Sequence, residues 1–225
     1  LNDNYAYHHV IQKIHNFCVH ELGGVYLDII KDRMYVTKSN SNARRSAQFA
    51  LFEVADILIR LISPVLVFTA EEIWQSHELF KKQSVSIFMA PQKTLSEIES
   101  SISDEDWKKI FAVKDAVNQS IEKARADSVI KGSLDSKIII SCDKKTYKAL
   151  EKIKDELKFV FISSEVEIAE SSSSKLDIEV TNFDQKKCIR CWNKCSSVGL
   201  YVEDPEICSR CYTNVYGDGE IRKFV

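Results

Sequence analysis

Four cysteines near the end of the chain have the spacing of a metal-binding site. Cys188 and Cys191 form one C-x2-C pair, and Cys208 and Cys211 form a second, with sixteen residues between the pairs. Each pair can present two thiolates to one face of a tetrahedral ion, and four sulfurs leave no open position for a catalytic water. The pattern therefore predicts one structural Zn²⁺ ion held by these four residues.

The alternative is that these thiols are free or joined as disulfides. The paired spacing favours zinc, because the segment has little apolar content with which to build a core of its own. Cys195 lies close enough to Cys191 to compete as a ligand, but it breaks the paired pattern and is expected to be a spare thiol. With seven cysteines, no signal peptide pattern and no long apolar run, the sequence indicates the cytoplasm and predicts no membrane span.

Residue patterns that would indicate catalysis are missing from the sequence. Glu71 and Glu72 are adjacent, and adjacent helical side chains point in different directions, so they are poor candidates for a paired acid and base. There is no glycine-rich phosphate loop and no nucleophile elbow. The histidines near the N-terminus have no accompanying carboxylate or cysteine set. The residues by themselves favour a binding module over an enzyme.

Composition limits the class of partner. The chain has 225 residues, enough for two or three domains, and a formal net charge of −2. A chain with this balance does not coat nucleic acid by bulk electrostatics, so a polyanionic partner must bind to a local patch.

The elements that position these residues are mainly helices. Apolar residues at three- and four-residue steps predict a helix from about Tyr5 to Thr37, with Gly23-Gly24 marking a kink, a break, or a close backbone approach. Further helices are predicted from Ala43 to Pro64, from a capping box at Thr69 to Glu72, from an N-cap at Ser103, and over Lys144–Leu157. Strands are predicted at 137–141, 159–162, 166–169 and 176–180, with a flexible serine turn at 171–174.

Three groups of motifs resemble a known family. The first group resembles the anticodon-binding helical domain of class I isoleucyl-tRNA synthetases. It consists of the segments 26–35, 44–48 and 64–74, the last of which contains Phe68-Thr69-Ala70-Glu71-Glu72-Ile73-Trp74. The segments 187–192, 207–211 and 219–224 resemble the C-terminal zinc finger of the bacterial enzymes, and 122–125 with 132–134 resemble the junction between the two parts. A similar finger ends formamidopyrimidine-type DNA glycosylases, and the upstream helices distinguish the two families.

The resemblance implies that tRNA binding and catalysis are carried out by different parts of the enzyme. Synthetases of this family charge tRNA with isoleucine using ATP, but their ATP-binding signatures, of the H-I-G-H and K-M-S-K-S kind, are missing from this sequence. The resemblance therefore implies a non-catalytic region that binds tRNA(Ile) at its anticodon stem-loop. ATP would be used only by the full-length enzyme, whose catalytic and editing domains would lie N-terminally in the same polypeptide. A monomer is expected.

The resemblance also suggests which residues contact RNA. Aromatic and guanidinium planes can stack on splayed bases while basic side chains hold phosphates. The candidates in and after the zinc module are Trp192, Arg190, Arg210 and Arg222, and those in the helical part are Lys31, Arg33, Arg44 and Arg45. Trp192 could instead pack over the metal site, and the helical cations could instead be solvated or paired with Asp28 and Asp32.

These predictions combine into one architecture. The fold is expected to be mainly α: a helical bundle of the class I synthetase anticodon-binding type (residues 1–100), a helix with a small α+β junction unit (101–183), and a C-terminal four-cysteine zinc finger or ribbon (184–225). The alternative function is a free-standing zinc-containing module that binds nucleic acid or protein.

Overall fold

The computed structural model describes residues 6–91, 93, 99–173 and 175–224. The chain divides into two compact units: residues 1–28 with 45–98, and residues 29–44 with 99–225. Residues 29–44 belong to the second unit, together with the α+β part and the cysteine-rich segment. The three-domain division stays a prediction. Tyr5 and Ser174, predicted in a helix and a turn, lie outside the described residues.

Helices account for most of the described secondary structure. The α-helices are α1 (Tyr7–Asn16), α2 (Leu27–Tyr35), α3 (Asn42–Ile62), α4 (Val67–Ser76), α5 (Glu78–Lys81), α6 (Asp104–Ala126), α7 (Lys144–Glu151), α8 (Leu157–Phe161) and α9 (Ser209–Tyr216). The strands are β1 (Ser136–Cys142), β2 (Glu165–Glu170) and β3 (Asp177–Asn182). No described helix is both long and apolar enough to cross a membrane.

The two adjacent glycines lie in a π-helical segment, Phe17–Tyr26, that directly follows α1. A Cβ atom at Gly23 would lie 2.9 Å from the carbonyl oxygen of Cys18, and one at Gly24 would lie 3.2 Å from that of Val19. The wider π turn brings these carbonyls toward the helix surface, and only glycine leaves room for them. The glycines therefore mark a close backbone approach rather than a break between helices.

The first unit has an aromatic core around α4. Trp74 is fully buried, stacks on Phe80 with ring centroids 5.2 Å apart, and donates its Nε1 hydrogen to the carbonyl of Ser84 at 2.9 Å. The capping box expected at Thr69 is wrong, because α4 already begins at Val67. Glu71 instead accepts hydrogen bonds from the Ser86 hydroxyl and the Ile87 amide, at 2.8 and 3.1 Å.

The second unit contains a three-stranded sheet in the order β2-β1-β3. β1 pairs with β2 in parallel and with β3 antiparallel, so Ile138 lies between Val166 and Val180. Ser103 caps α6 as expected, because its hydroxyl accepts from the Asp106 amide at 3.2 Å. The three strands at 137–141, 166–169 and 176–180 are confirmed to within one or two residues at their N-terminal ends.

The strand expected at 159–162 is wrong, because these residues belong to α8 and the residue after it. Phe159, Val160 and Phe161 are all buried, so the segment is apolar on every side and carries no periodicity. Ile162 ends the helix in the left-handed conformation at φ 54°. A short buried helix and a short buried strand have the same apolar signature, which is why the sequence did not separate them.

Candidate metal centre and nucleic-acid interface

The four predicted cysteines converge on one point. Cys188, Cys191, Cys208 and Cys211 are all buried, and their sulfur atoms lie within 4.8 Å of one another. The Sγ atoms of Cys188 and Cys211 are 3.7 Å apart, and those of Cys191 and Cys208 are 3.8 Å apart. These separations are too long for disulfide bonds. The cluster could hold a metal ion.

Two different local structures supply the sulfurs. The first pair lies on a small hairpin in which Lys187 bridges to Lys194 and the Cys188 amide donates to the Asn193 carbonyl at 2.9 Å. The second pair brackets the start of α9, with Cys208 as the N-cap residue and Cys211 in the first turn. The Cys208 amide also donates to the Cys188 sulfur at 3.3 Å, which links the two pairs directly.

The electrostatics of the cluster favour charge on one sulfur over its neighbours. Hydrogen bonds from Cys208 and Cys211 hold the pKa of the Cys191 thiol well below its ordinary value, and Arg210 lowers it further. The same bond to Cys191 raises the pKa of the Cys208 thiol. Four thiols this close cannot all ionise without a cation between them, because the sulfur charges repel.

Cys195 lies outside the four-sulfur cluster. Its side chain is partly buried against the cluster, and its Sγ is 3.4 Å from the Ser197 hydroxyl. Its backbone amide donates to the Lys186 carbonyl at 3.0 Å, which closes the base of the hairpin. This placement agrees with the expectation that Cys195 is a spare thiol.

Trp192 projects from the hairpin into solvent. Its side chain is 62% exposed, so it does not form a miniature core over the sulfurs. Its backbone has φ 65°, a left-handed conformation that is unfavourable for a bulky residue, and its amide donates to the Cys188 carbonyl at 2.9 Å. An exposed indole held by a strained turn is available for stacking on a ligand.

Arg210 and Arg222 are largely buried and already bound to carboxylates. Both guanidiniums bind Asp32, and Arg210 also contacts Glu220 at 3.2 Å. The guanidinium carbon of Arg222 lies 3.2 Å from the centre of the Phe159 ring. Burial alone would lower the pKa of Arg210, but its hydrogen bonds to Asp32 outweigh burial and raise that pKa well above its ordinary value. Contact of these two arginines with RNA stays a prediction.

The turn between α2 and α3 packs against the sulfur cluster. Val36 is buried in the same apolar cluster as the four cysteines. Arg190 donates to the Val36 carbonyl at 2.7 Å, and Lys38 donates to the Gly217 carbonyl at 2.7 Å. The Lys38 amide also donates to the Asn214 side-chain oxygen at 3.2 Å. The segment that carries the cysteine cluster therefore also holds residues 36–38 in place.

Three of the four cations of the helical part, Lys31, Arg33 and Arg44, belong to the same unit as this turn, and Arg45 belongs to the first unit. Lys31 and Arg45 are exposed, whereas Arg33 and Arg44 are partly buried. Arg44 donates to the Thr37 carbonyl, and Arg45 donates to the Gln48 side chain at 3.2 Å. Asp32, one of the carboxylates expected to pair with them, is bound to Arg210 and Arg222. RNA contact by the four cations stays a prediction.

Sequence reasoning missed the residues that connect the end of the chain to the rest of the second unit. Glu156 is buried and accepts from the backbone amides of Lys223 and Phe224, at 2.6 and 3.0 Å. Glu220 accepts from the Asn214 side chain at 3.0 Å. Glu156 lies among charged residues, with Lys154 and Asp155 before it and Lys158 after it, so no local pattern in the sequence distinguished it.

Comparisons with known proteins agree on one family. The model for the anticodon-binding domain of tRNA ligase matches residues 2–140. An isoleucine–tRNA ligase from Alcanivorax borkumensis is 42% identical over 238 residues, covering 100% of this chain and 25% of the relative. Isoleucine–tRNA ligases from Saccharophagus degradans and Shewanella halifaxensis are 40% and 39% identical, each covering 99% of this chain and 25% of the relative.

The chain thus spans about a quarter of the length of the curated relatives that it matches. The family match begins before α1, extends through α6 and ends in β1. It therefore includes the helices on which Lys31, Arg33, Arg44 and Arg45 lie. On this evidence the chain belongs to the family of anticodon-binding domains of tRNA ligases.

Proposed function

We propose that this chain is the tRNA(Ile)-binding part of an isoleucine–tRNA ligase, and that it binds the anticodon stem-loop. The family match and the relatives at about 40% identity support this assignment. Isoleucine activation with ATP, and editing, would be carried out by other parts of the same polypeptide. The cytoplasm is its proposed compartment, which suits a chain whose seven cysteines form no disulfide bond. A monomeric state stays a prediction.

Zn²⁺ is the ion that we propose for the cysteine cluster. A tetrahedral site with Zn–S bonds of about 2.3 Å has sulfur–sulfur separations of about 3.8 Å, close to the 3.7 and 3.8 Å observed. Bound zinc would neutralise the thiolate charge and fix the hairpin to α9. Four sulfur ligands fill the coordination shell, so its proposed role is structural.

Trp192 is the residue proposed to stack on an anticodon base. The strongest support is its exposure, because a large aromatic side chain on a rigid turn gains stacking energy without losing much conformational freedom. Arg190 lies two residues earlier on the same hairpin. Its side chain is partly buried and binds the Val36 carbonyl, so we propose that it orients the hairpin and contacts phosphate from its remaining N–H groups.

Lys31, Arg33, Arg44 and Arg45 are proposed to contact phosphates. Lys31, Arg33 and Arg44 belong to the same unit as the cysteine cluster, so a bound ion would help to position them together with the hairpin. Phosphate contacts set affinity and its salt dependence, whereas base contacts set specificity. Neutralising Arg44 and Arg45 should therefore reduce the salt slope of tRNA binding and leave the preference for one anticodon intact.

The decisive experiment compares two tRNAs. Binding of the zinc-loaded protein to an isoleucine tRNA transcript is measured against the same transcript with a changed anticodon, at fixed salt, with zinc quantified in each sample. Tighter binding to the unchanged anticodon supports the proposal. Equal binding to both would assign only backbone contacts to this chain. No binding to either would favour a module with another partner.

A further inference from the structure

The first unit carries an uncharged apolar run on its surface. Residues 61–70 contain no charged side chain, in a chain of which 28% is charged. Four consecutive apolar residues within it, Val65 to Phe68, are all exposed, and Phe68 is 89% exposed. Runs of three or four exposed apolar residues are avoided on the surface of a soluble domain unless they bind something.

This run continues into an apolar groove. The groove has a volume of about 490 Å³ and lies between α1 and Val65. Tyr7, His8, Ile11 and His15 line it from α1. Val65 belongs both to the groove and to the exposed run, so the two form one continuous surface. We call residues 65–68 together with this groove the apolar face.

The apolar face is rigid. The amides of Val65 and Leu66 donate to the Ile62 carbonyl at 3.0 and 2.8 Å, and the Ala70 amide donates to the Leu66 carbonyl at 2.9 Å. Ala70 and Trp74, on the opposite side of α4, are fully buried in the core of the first unit. The exposed side chains therefore cannot turn inward, because the inward face of the helix is already occupied.

We infer that the apolar face is the surface on which another part of the same polypeptide packs. The curated relatives are about four times as long as this chain, so three quarters of such a polypeptide lies outside the residues described here. A partner with an uncharged, apolar surface fits, because no charged group within residues 61–70 would be desolvated on burial. This inference rests on the proposed function, in which the chain works within a longer ligase.

A lipid surface fits the face less well. Membrane-surface helices carry Lys and Arg beside their apolar residues to bind anionic headgroups, and residues 61–70 have neither. Burial of Phe68 alone against a protein surface would remove a large apolar area from water. A segment of the same polypeptide is covalently linked to the apolar face and is therefore present at high effective concentration. No separate partner is then needed to cover the face.

Hydroxyl-radical footprinting of the full-length polypeptide tests the inference within one sample. Phe68 is compared with Phe49 and Phe88, which lie outside the face and are 65% and 53% exposed. In this structure Phe68 is the most exposed of the three and would be oxidised fastest. If another part of the polypeptide covers it, Phe68 should be oxidised about tenfold more slowly than both controls. Oxidation of Phe68 at the fastest rate overturns the inference.

Two further measurements identify what covers the face. Protection that disappears on dilution would identify a second copy of the polypeptide and overturn the inference. Phe68→Ser should increase oxidation of Leu66 and Val67, because a polar residue weakens the packing, whereas Phe49→Ser should leave both unchanged. Because no RNA is present, the outcome is independent of tRNA binding. A failure here leaves the proposed tRNA binding standing, because that binding is tested by a separate experiment.

Discussion

Asp32 and Arg210, 178 positions apart in the chain, form a bidentate ion pair. The Arg210 Nη1 and Nη2 atoms lie 2.6 and 2.8 Å from the two carboxylate oxygens of Asp32. Arg222 binds the same carboxylate from the end of the chain. One acidic side chain near the end of α2 therefore holds both the second cysteine pair and the C-terminal segment.

Replacing Asp32 by asparagine should destabilise the second unit by about 3 kcal/mol, because two largely buried guanidiniums would lose their shared carboxylate. Chemical denaturation of the zinc-loaded protein measures this. Asp184→Asn, at an exposed carboxylate of the same unit, is the matched control and should change the free energy of unfolding by less than about 0.5 kcal/mol. Equal effects of the two substitutions would contradict a structural role for the ion pair.

Removal of the metal should release the turn between α2 and α3 as well as the cysteine hairpin. Cys188→Ser removes one of four ligands, so native mass spectrometry should show loss of the bound zinc. Amide hydrogen exchange at Lys38 should become faster, because its acceptor Asn214 lies on α9, which also carries Cys211.

Cys195→Ser is the control for this experiment. Its sulfur lies outside the cluster, so zinc content and exchange at Lys38 should both match the parent protein. If Cys195→Ser lost zinc and Cys188→Ser kept it, the ligand assignment would be wrong.

Substitutions of Trp192 separate stacking from packing. Trp192→Ala should keep zinc and weaken the free energy of tRNA binding by about 1–3 kcal/mol, the range measured for base–aromatic stacking. Trp192→Gly should lower the affinity equally but raise stability by about 1 kcal/mol, because glycine relieves the left-handed backbone. Isothermal titration calorimetry measures the affinity for the tRNA, and thermal unfolding measures the stability of the protein. Loss of zinc in both variants would instead show that the indole supports the metal site.

Gly23→Ala tests the π-helical segment. In an ordinary helix this change stabilises by about 1 kcal/mol, but here the new Cβ would lie 2.9 Å from the Cys18 carbonyl oxygen. We expect the free energy of unfolding to fall by about 1 kcal/mol, because the turn must shift. Gly132→Ala is the control: its Cβ would have no neighbour closer than 3.8 Å, so it should be nearly neutral. Stabilisation by Gly23→Ala would contradict the π-helical geometry.

Local rules predicted the features that depend on nearby residues. The cysteine spacing identified the four sulfurs of the cluster, because the residues of each pair are separated by only two positions and the paired spacing is typical of one shared site. Ser103 was identified as a helix cap from the three residues that follow it. Short apolar runs located β1, β2 and β3, and in β1 buried residues alternate with half-buried ones.

Where local rules failed, contacts elsewhere in the unit determined the structure. The helix at Phe159 to Phe161 was missed because these residues are buried on all sides, which removes the periodicity that distinguishes helix from strand. Thr69 lies inside α4 rather than at its start, and Glu71 is used for tertiary contacts with Ser86 and Ile87 instead of for capping.

The sequence by itself determined the family, the four cysteines that cluster and most of the helices. Only the tertiary structure decided which charges are available to a ligand. Arg210 and Arg190 look equivalent in the two cysteine pairs, yet Arg210 is bound to Asp32 and Glu220 whereas Arg190 reaches a backbone carbonyl. Trp192 likewise had two interpretations until its exposure was known. Pairing and burial depend on residues that are more than a hundred positions away, and no local pattern encodes them.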